Sequence, residues 1–388
     1  MRSEKLLKPG TYFMTGNMAV AEAALIAGCR FFAGYPITPS SDLMEHMARR
    51  LPQVGGVFIQ GEDEIAAINM VLGASAAGLK AMTATSGPGL SLMEEALGLG
   101  FMLELPAVVV DVQRVGPATG IPTLGAQGDV MQAIWGSHGD REVVVYAPSN
   151  VQEAFDLTIE AFNTAEELRL PVIVLLDELI GHGYGRLRVP NLDEIRIVER
   201  KKASNIEGYA PFKAHVLVPL FAEPGKGFRL HMTGLVHDER GYPVIDKDIT
   251  ERLLTRLLLK VRANRDRLIN YEIYSCDSID RAEVMIVAYG SIASIVKSAL
   301  KRLKTHGVRA ILFRPKVLWP MPDAELCKSI ENYNVKNVLI VEMNYGQYLY
   351  LIKAALLQCP TPYRFVSITP GFYPSPKELS ERILKVIS

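Results

Sequence analysis

Arg30-Phe-Phe-Ala-Gly-Tyr-Pro-Ile-Thr-Pro-Ser-Ser41 decides the architecture of this chain. Its first five residues form an apolar strand closed by Gly34, and Tyr35 to Pro39 is a turn that two prolines lock. Ser40 or Ser41 then serves as N-cap for a helix reaching Arg50. The same alternation continues on either side. Met18 to Gly28 is a helix stopped by its glycine. Gly56 to Gln60 is a strand, and Glu64 to Gly78 an alanine-rich helix. Lys80-Ala-Met-Thr-Ala-Thr85 is a strand running into Ser86-Gly-Pro-Gly89. Pro106-Ala-Val-Val-Val-Asp-Val112 and Pro171-Val-Ile-Val-Leu-Leu176 are continuous apolar strands, the pattern of a sheet covered on both faces. Strands alternating with helices predict an α/β fold with a doubly wound parallel sheet. Three polar segments leave its βα junctions: Gly34–Ser41, Gly61-Glu-Asp-Glu-Ile-Ala-Ala67 and Gln113-Arg-Val-Gly-Pro-Ala-Thr-Gly-Ile-Pro-Thr123. Open parallel sheets hold their ligands at such junctions.

The pattern breaks after residue 185. Scattered prolines and charges follow, then an amphipathic stretch from Asp248 to Asn270 with Leu253, Leu254, Leu257, Leu258 and Val261 at helical spacing. A second α/β block begins near 280. Strands are expected at Ala282–Tyr289, Val308–Phe313 and Asn337–Glu342, and helices at Ile292–Thr305, 321–333 and 376–388. The expected division is a sheet domain over 1–190, a linker with a helix over 191–275 and a second α/β domain over 276–388.

A chain of 388 residues that is 49% hydrophobic can bury more than one core. Its 42 basic and 42 acidic residues balance, so no basic field points to nucleic acid. The N-terminus lacks the apolar core of a secretory signal, and the longest apolar runs are strand-length, too short for a membrane span. Cys29, Cys276, Cys327 and Cys359 form neither a CxxC nor a ferredoxin spacing. The expectation is a cytoplasmic protein with reduced cysteines, whose iron–sulfur chemistry, if any, lies on another chain.

Each chemistry-bearing residue has a plain alternative. Glu64 opens a helix beside Glu62 and Asp63, where acidic residues commonly answer the helix dipole; it is also placed for proton handling. Thr38, flanked by prolines, is a turn residue or a hydroxyl facing a ligand. Arg114 ends a buried strand, as an ordinary ion-pair partner or as a fork for a carboxylate. Ser86 and Gly87 belong to a glycine-rich turn without a Walker lysine or a GxGxxG. His138 is structural by default, and His231 and His237 lack the companions of a zinc site.

Taken together, Gly34–Ser41, Glu62-Asp-Glu64 before its apolar–Ala–Ala run, and Gln113-Arg-Val-Gly-Pro117 resemble the α subunits of the thiamine-dependent 2-oxoacid:ferredoxin oxidoreductases, the 2-oxoglutarate enzymes above all. The resemblance is dense from 15 to 185 and returns in Thr233–Gly241, Leu312–Pro320 and Val341–Gln347. It implies a thiamine-diphosphate pyrimidine-type domain plus a transketolase-C-terminal-like α/β domain. It implies that Glu64, with Glu62 as fallback, hydrogen-bonds the aminopyrimidine and sustains the tautomer that activates the thiazolium. Thr38 faces substrate and thiazolium, Pro36, Ser86 and Gly87 lie along the cofactor, and Arg114 binds the 2-oxoacid carboxylate with Thr119 and Thr123 lining the pocket. Gln127-Gly-Asp129 and Ser137-His-Gly-Asp140 also match, with His138 behind the site. Val115 and Ala118 depart from the family's small or hydroxylated residues, which leaves a second-carboxylate pocket unassigned. No Gly-Asp-Gly metal motif occurs in the chain. The resemblance therefore implies a partner β subunit carrying diphosphate, Mg2+ and a [4Fe-4S] cluster, separate γ and ferredoxin-like subunits, and ferredoxin and coenzyme A as co-reactants. Branched-chain 2-oxoacid or pyruvate enzymes, and a silent assembly subunit of the same fold, are the alternatives.

Overall fold

The computed structural model describes residues 5–387. The first part of the chain runs β1 (Gly10–Thr15), α1 (Gly16–Ile26), β2 (Cys29–Gly34), α2 (Ser41–Arg50), β3 (Val57–Gln60), α3 (Glu64–Ala76), β4 (Lys80–Thr85) and α4 (Gly87–Met102). Then come β5 (Ala107–Val115), β6 (Ile121–Gly125), α5 (Val130–Trp135), β7 (Val144–Tyr146), α6 (Val151–Leu168), β8 (Pro171–Asp177), α7 (Glu178–His182) and β9 (Tyr184–Val189). An irregular stretch leads to α8 (Lys247–Arg262) and α9 (Arg265–Leu268). The last part is β10 (Tyr271–Tyr274), β11 (Val284–Val287), α10 (Gly290–Thr305), β12 (Ala310–Pro315), β13 (Val317–Trp319) and α11 (Asp323–Asn332). It closes with β14 (Asn337–Glu342), α12 (Gln347–Leu356), β15 (Tyr363–Ser367) and α13 (Pro376–Ile387).

The large sheet has the order β13-β7-β8-β5-β4-β2-β3, with β6 folded back on β5. Strands β3, β2, β4, β5, β8 and β7 are parallel, and only β6 and β13 run against them. β5 and β8 are valine-, isoleucine- and leucine-rich because helices cover both faces. One side is a cluster of α3 and α4 residues such as Val71, Leu90 and Met93. The other carries α1, α2 and α6, with Leu25, Met47 and Phe162. The second sheet has the order β10-β12-β11-β14-β15, parallel except for β10. Both sheets are the α/β layers that the sequence pattern predicts.

Connectivity places the site. The chain passes from β2 to β3 on one side and returns to β4 on the other, so β2 is flanked by both. The loops after β2 and β4 leave from that reversal, the place where open α/β sheets bind ligands.

α8 docks Leu253, Leu257 and Val261 against the large-sheet core, as its leucine spacing predicts. Asp246 caps it by accepting from the Ile249 N–H at 2.8 Å. Arg256 and Lys260 of α8 reach the fully buried Glu104 carboxylate.

The cysteines depart from the expectation of four reduced thiols. Cys327 on α11 and Cys359 beyond α12 form a disulfide, whereas Cys29 and Cys276 are free. The two are 32 residues apart in sequence, but α11 and α12 pack together and bring their Cα atoms to 5.5 Å, within bridging range. Among the described residues no helix is long and apolar enough to cross a membrane.

Candidate functional site

The C-terminal ends of β2, β3, β4 and β5 deliver four segments to one crevice. From β2 comes the Tyr35–Pro39 turn, with Pro36 exposed and Thr38 half-buried. From β3 comes the acidic segment, and capping sorts its three acids. Asp63 is the N-cap of α3 and accepts from the Ala66 N–H at 2.7 Å. Glu62 is exposed to solvent. Glu64, the first residue of the helix, is only 5% exposed and turns inward.

From β4 comes Ser86, the N-cap of α4, with Pro88 in the first turn as helix starts favour. The Ser86 hydroxyl is buried without a partner. Gly89 is required where it stands, because a Cβ there would collide with the Thr85 hydroxyl and lie 2.5 Å from Glu64 Oε1. The Glu64 carboxyl is thus packed onto the glycine turn of α4. Burial pushes its pKa above the usual carboxylate range. Asp63 adds to the rise, while the residue's own backbone N–H and Arg114 oppose it.

From β5 comes Arg114, almost wholly buried. Its Nη1 donates to the Thr38 carbonyl at 2.8 Å, which ties the β5 end to the β2 turn. Its Nε is sealed without a partner. Glu64, Thr38 and Arg114 therefore converge, two by a hydrogen bond and the third by charge.

Arg114 opens into a cavity of about 700 Å³ with Gly87, Pro88 and Asp129 on its wall. Asn344, Tyr345 and Tyr350 from the last third of the chain form the opposite wall. A buried polar network holds that wall in place. Gln127 donates to Asp177 and to the Tyr289 carbonyl, and Asn344 donates to the Gln127 carbonyl at 2.6 Å. Asp177 accepts from the Ser291 N–H and hydroxyl at the start of α10.

Not every residue singled out in the sequence joins them. Thr119 and Thr123 are exposed on the β5–β6 hairpin, and the cavity wall is Val115 to Ala118 instead. Alternation along β6 turns Thr123 outward with Ile121. His138 is exposed and away from the cavity. Two residues without an assigned role stand out: Asp129 on the wall and Asp111 beneath it. A lone acid in the otherwise apolar Val108–Val112 run was the available signal for Asp111.

The pyrimidine end of thiamine diphosphate fits these residues. A sealed carboxyl with a raised pKa, held against a glycine turn, suits a partner that must keep a proton on a ring nitrogen. The diphosphate end has no such match. Among the described residues no group of three or more His, Cys, Asp or Glu side chains could hold a metal.

Fold and crevice define an α/β protein whose crevice suits the pyrimidine end of thiamine diphosphate. The family profile "pyruvate flavodoxin/ferredoxin oxidoreductase, thiamine diP-bdg" matches residues 22–253, and "pyruvate:ferredoxin oxidoreductase core domain II" matches 282–379. The chain belongs to this oxidoreductase family. It is 49% identical over 341 residues to the 2-oxoglutarate synthase subunit KorA of Methanocaldococcus jannaschii, covering 88% of this chain and 90% of that one. It is 36% identical over 349 residues to the ketoisovalerate oxidoreductase subunit VorB of Methanothermobacter marburgensis, covering 89% and 90%. Among solved structures it resembles a 2-oxoglutarate:ferredoxin oxidoreductase from Magnetococcus marinus, at a TM-score of 0.91 and 35% identity. The match covers 97% of this chain, and the chain spans 65% of that one. A split-gene transketolase matches in fold alone, at a TM-score of 0.55 and 12% identity.

Proposed function

We propose that this chain is the α-type subunit of a thiamine-dependent 2-oxoacid:ferredoxin oxidoreductase. The complex would convert 2-oxoglutarate, coenzyme A and oxidised ferredoxin into succinyl-CoA, CO2 and reduced ferredoxin, or run the reverse carboxylation. The observation that carries the reading is the Arg114 fork, anchored on the Thr38 carbonyl beside the sealed Glu64 carboxyl. An arginine fork suits the carboxylate that every 2-oxoacid carries. The higher identity to 2-oxoglutarate synthase subunits than to a ketoisovalerate subunit supports the substrate choice.

When bound, thiamine diphosphate supplies a nucleophilic carbon and an electron sink. Glu64 would hold a proton at the pyrimidine ring nitrogen, and burial, which raises its pKa above the usual carboxylate range, favours that protonated form. Arg114 binds and orients the substrate carboxylate. Thr38 would face the substrate and the thiazolium, and Pro36, Ser86 and Gly87 would line the cofactor's path. Thr119 and Thr123 would reach substrate only if the β5–β6 hairpin folds inward on assembly.

The division proposed is a pyrimidine-type unit over 1–190, a linker over 191–275 and a transketolase-C-like unit over 276–388, with β13 reaching back to the first sheet. A partner β subunit would hold the diphosphate, Mg2+ and a [4Fe-4S] cluster. Further γ and ferredoxin-like subunits would complete a cytoplasmic complex. The test is co-expression with partner subunits and turnover of several 2-oxoacids with a viologen dye. Preference for 2-oxoglutarate supports the proposal. Preference for 2-oxoisovalerate or pyruvate moves the chain to another branch, and no turnover of any 2-oxoacid leaves the assembly-subunit reading.

A further inference from the structure

We propose that His182 is a positioning residue for the Tyr35–Pro39 turn: as an imidazolium it bridges the Glu178 carboxylate and the Pro39 carbonyl, and losing one ring proton slackens the turn that anchors Arg114. The inference rests on the reading of Arg114 as the carboxylate-binding group.

Two successive carbonyls of the turn are held by different elements. Arg114 of β5 donates to the Thr38 carbonyl at 2.8 Å. The Pro39 carbonyl accepts from Asn17 Nδ2 of α1 at 2.9 Å, and His182 Nε2 at the end of α7 lies 3.1 Å from it. Asn17 Nδ2 also donates to Asp42 Oδ1 of α2. Close packing sets both donors on the one oxygen. A Cβ on Gly16 would lie 2.2 Å from the Ile180 carbonyl oxygen, so the start of α1 rests directly on α7.

The other ring nitrogen, Nδ1, lies 3.1 Å from Glu178 Oε1, one helical turn back. A carboxylate and a carbonyl only accept, so both bonds form together only when the ring carries two protons. The charged groups facing the ring are Glu178 of α7 and Asp42 of α2, whose Oδ1 is 3.8 Å from Nε2. α1 presents the Asn17 amide instead. Beyond Glu178, the Asp177 carboxyl is turned to Ser291 and Gln127, and burial keeps the Tyr373 hydroxyl protonated. The Glu178 bond outweighs partial burial and, with Asp42 and the Pro39 carbonyl, lifts the His182 pKa above 6.5. The ring is exposed, so solvent pH reaches it. It keeps both protons below that raised value and loses one above it. The remaining proton goes to the carboxylate, the stronger acceptor. An Nε2 lone pair then faces the Pro39 oxygen, and Asn17 alone holds that carbonyl.

In the assembled complex, kcat/KM for the preferred 2-oxoacid should fall roughly threefold to tenfold as pH rises through this transition, the scale of one hydrogen bond. The change should lie on KM more than on kcat, because the Thr38 carbonyl orients Arg114. His182→Gln supplies an amide donor that does not titrate, so the low-pH KM should persist and the inflection should vanish. His182→Ala should show the raised KM at every pH. The same inflection retained in both variants would overturn the proposal. A second readout needs no turnover. In NMR spectra of the full chain with isotope-labelled histidine, the resonance that His182→Gln removes should titrate with a midpoint above 6.5. A midpoint at or below that value overturns the bridge and leaves the functional reading standing. A raised midpoint in a complex that turns over no 2-oxoacid refutes the functional reading and, with it, the positioning role.

Discussion

Replacing Arg114 by lysine removes a planar fork and leaves a point charge. In the structure one arm of the fork is already spent, since Nη1 holds the Thr38 carbonyl at 2.8 Å. The other arm remains for a ligand, whereas Nε is buried without a protein partner. A lysine ammonium would have to serve either the Thr38 carbonyl or the substrate. The loss is then one hydrogen bond to a charged group, about 1.5–3 kcal/mol, plus a loop tether of about 1 kcal/mol. The total of about 2.5–4 kcal/mol corresponds to a fall in kcat/KM of roughly 70-fold to 1000-fold. The assay is steady-state kcat/KM for several 2-oxoacids with ferredoxin or a viologen acceptor, alongside calorimetric binding of thiamine diphosphate. Binding of the cofactor should barely change. An unchanged kcat/KM would remove Arg114 from the carboxylate site.

Glu64→Gln should lower turnover by roughly two or more orders of magnitude, the scale of a lost acid–base group, and slow C2-proton exchange of bound thiamine followed by NMR. The exposed Glu62→Gln should do much less, and the reverse ranking would refute the assignment. Glu104→Gln should cost about 3–5 kcal/mol in denaturant unfolding, because it leaves Arg256 and Lys260 buried without their counter-charge. Burial alone would raise the Glu104 carboxyl, but Lys260, Arg256 and Arg169 outweigh it and hold it at about 2 against an ordinary 4.5. A depressed carboxylate stabilises fully above its unfolded value and loses that stability as pH falls toward the folded one. The wild type should therefore lose stability between pH about 4.5 and 2, and the variant should show less of that loss.

What the sequence made legible was local. Continuous apolar strands, the alanine-rich helix and the proline-locked turn follow from residue chemistry within short windows, and those elements lie where that chemistry puts them. The pairing of distant segments is a different matter. β1 and β9 meet across most of the first 190 residues, and β13 leaves the C-terminal third to join β7. Neither partner carries a pattern that names the other. The same limit governs the site. Asp63 takes the cap, which frees Glu64 to turn inward, and spacing supports that distinction. The exposure of Thr119 and Thr123 depends on β6 folding back in the register that pairs Val115 with Ile121. Cys327 and Cys359 meet only because two helices pack side by side.

The architecture bears most directly on what the lone chain can bind. In the proposed reading its crevice offers a carboxyl for the pyrimidine and a fork for a 2-oxoacid, and the wall completing the cavity ends in Tyr345 and Tyr350, 78% and 61% exposed. Side chains of that size at a cavity rim are suited to a further protein surface. Thiamine diphosphate carries much of its binding energy in the diphosphate and its metal, and the chain has no Gly-Asp-Gly segment to hold them. The purified chain should therefore fold cooperatively yet bind thiamine diphosphate with Mg2+ only weakly, and addition of partner subunits should tighten binding by orders of magnitude. Calorimetric titration of chain and complex under the same conditions measures both. Tight, Mg2+-dependent binding by the chain alone would mean that its own residues hold the diphosphate, and the shared-site reading would fall.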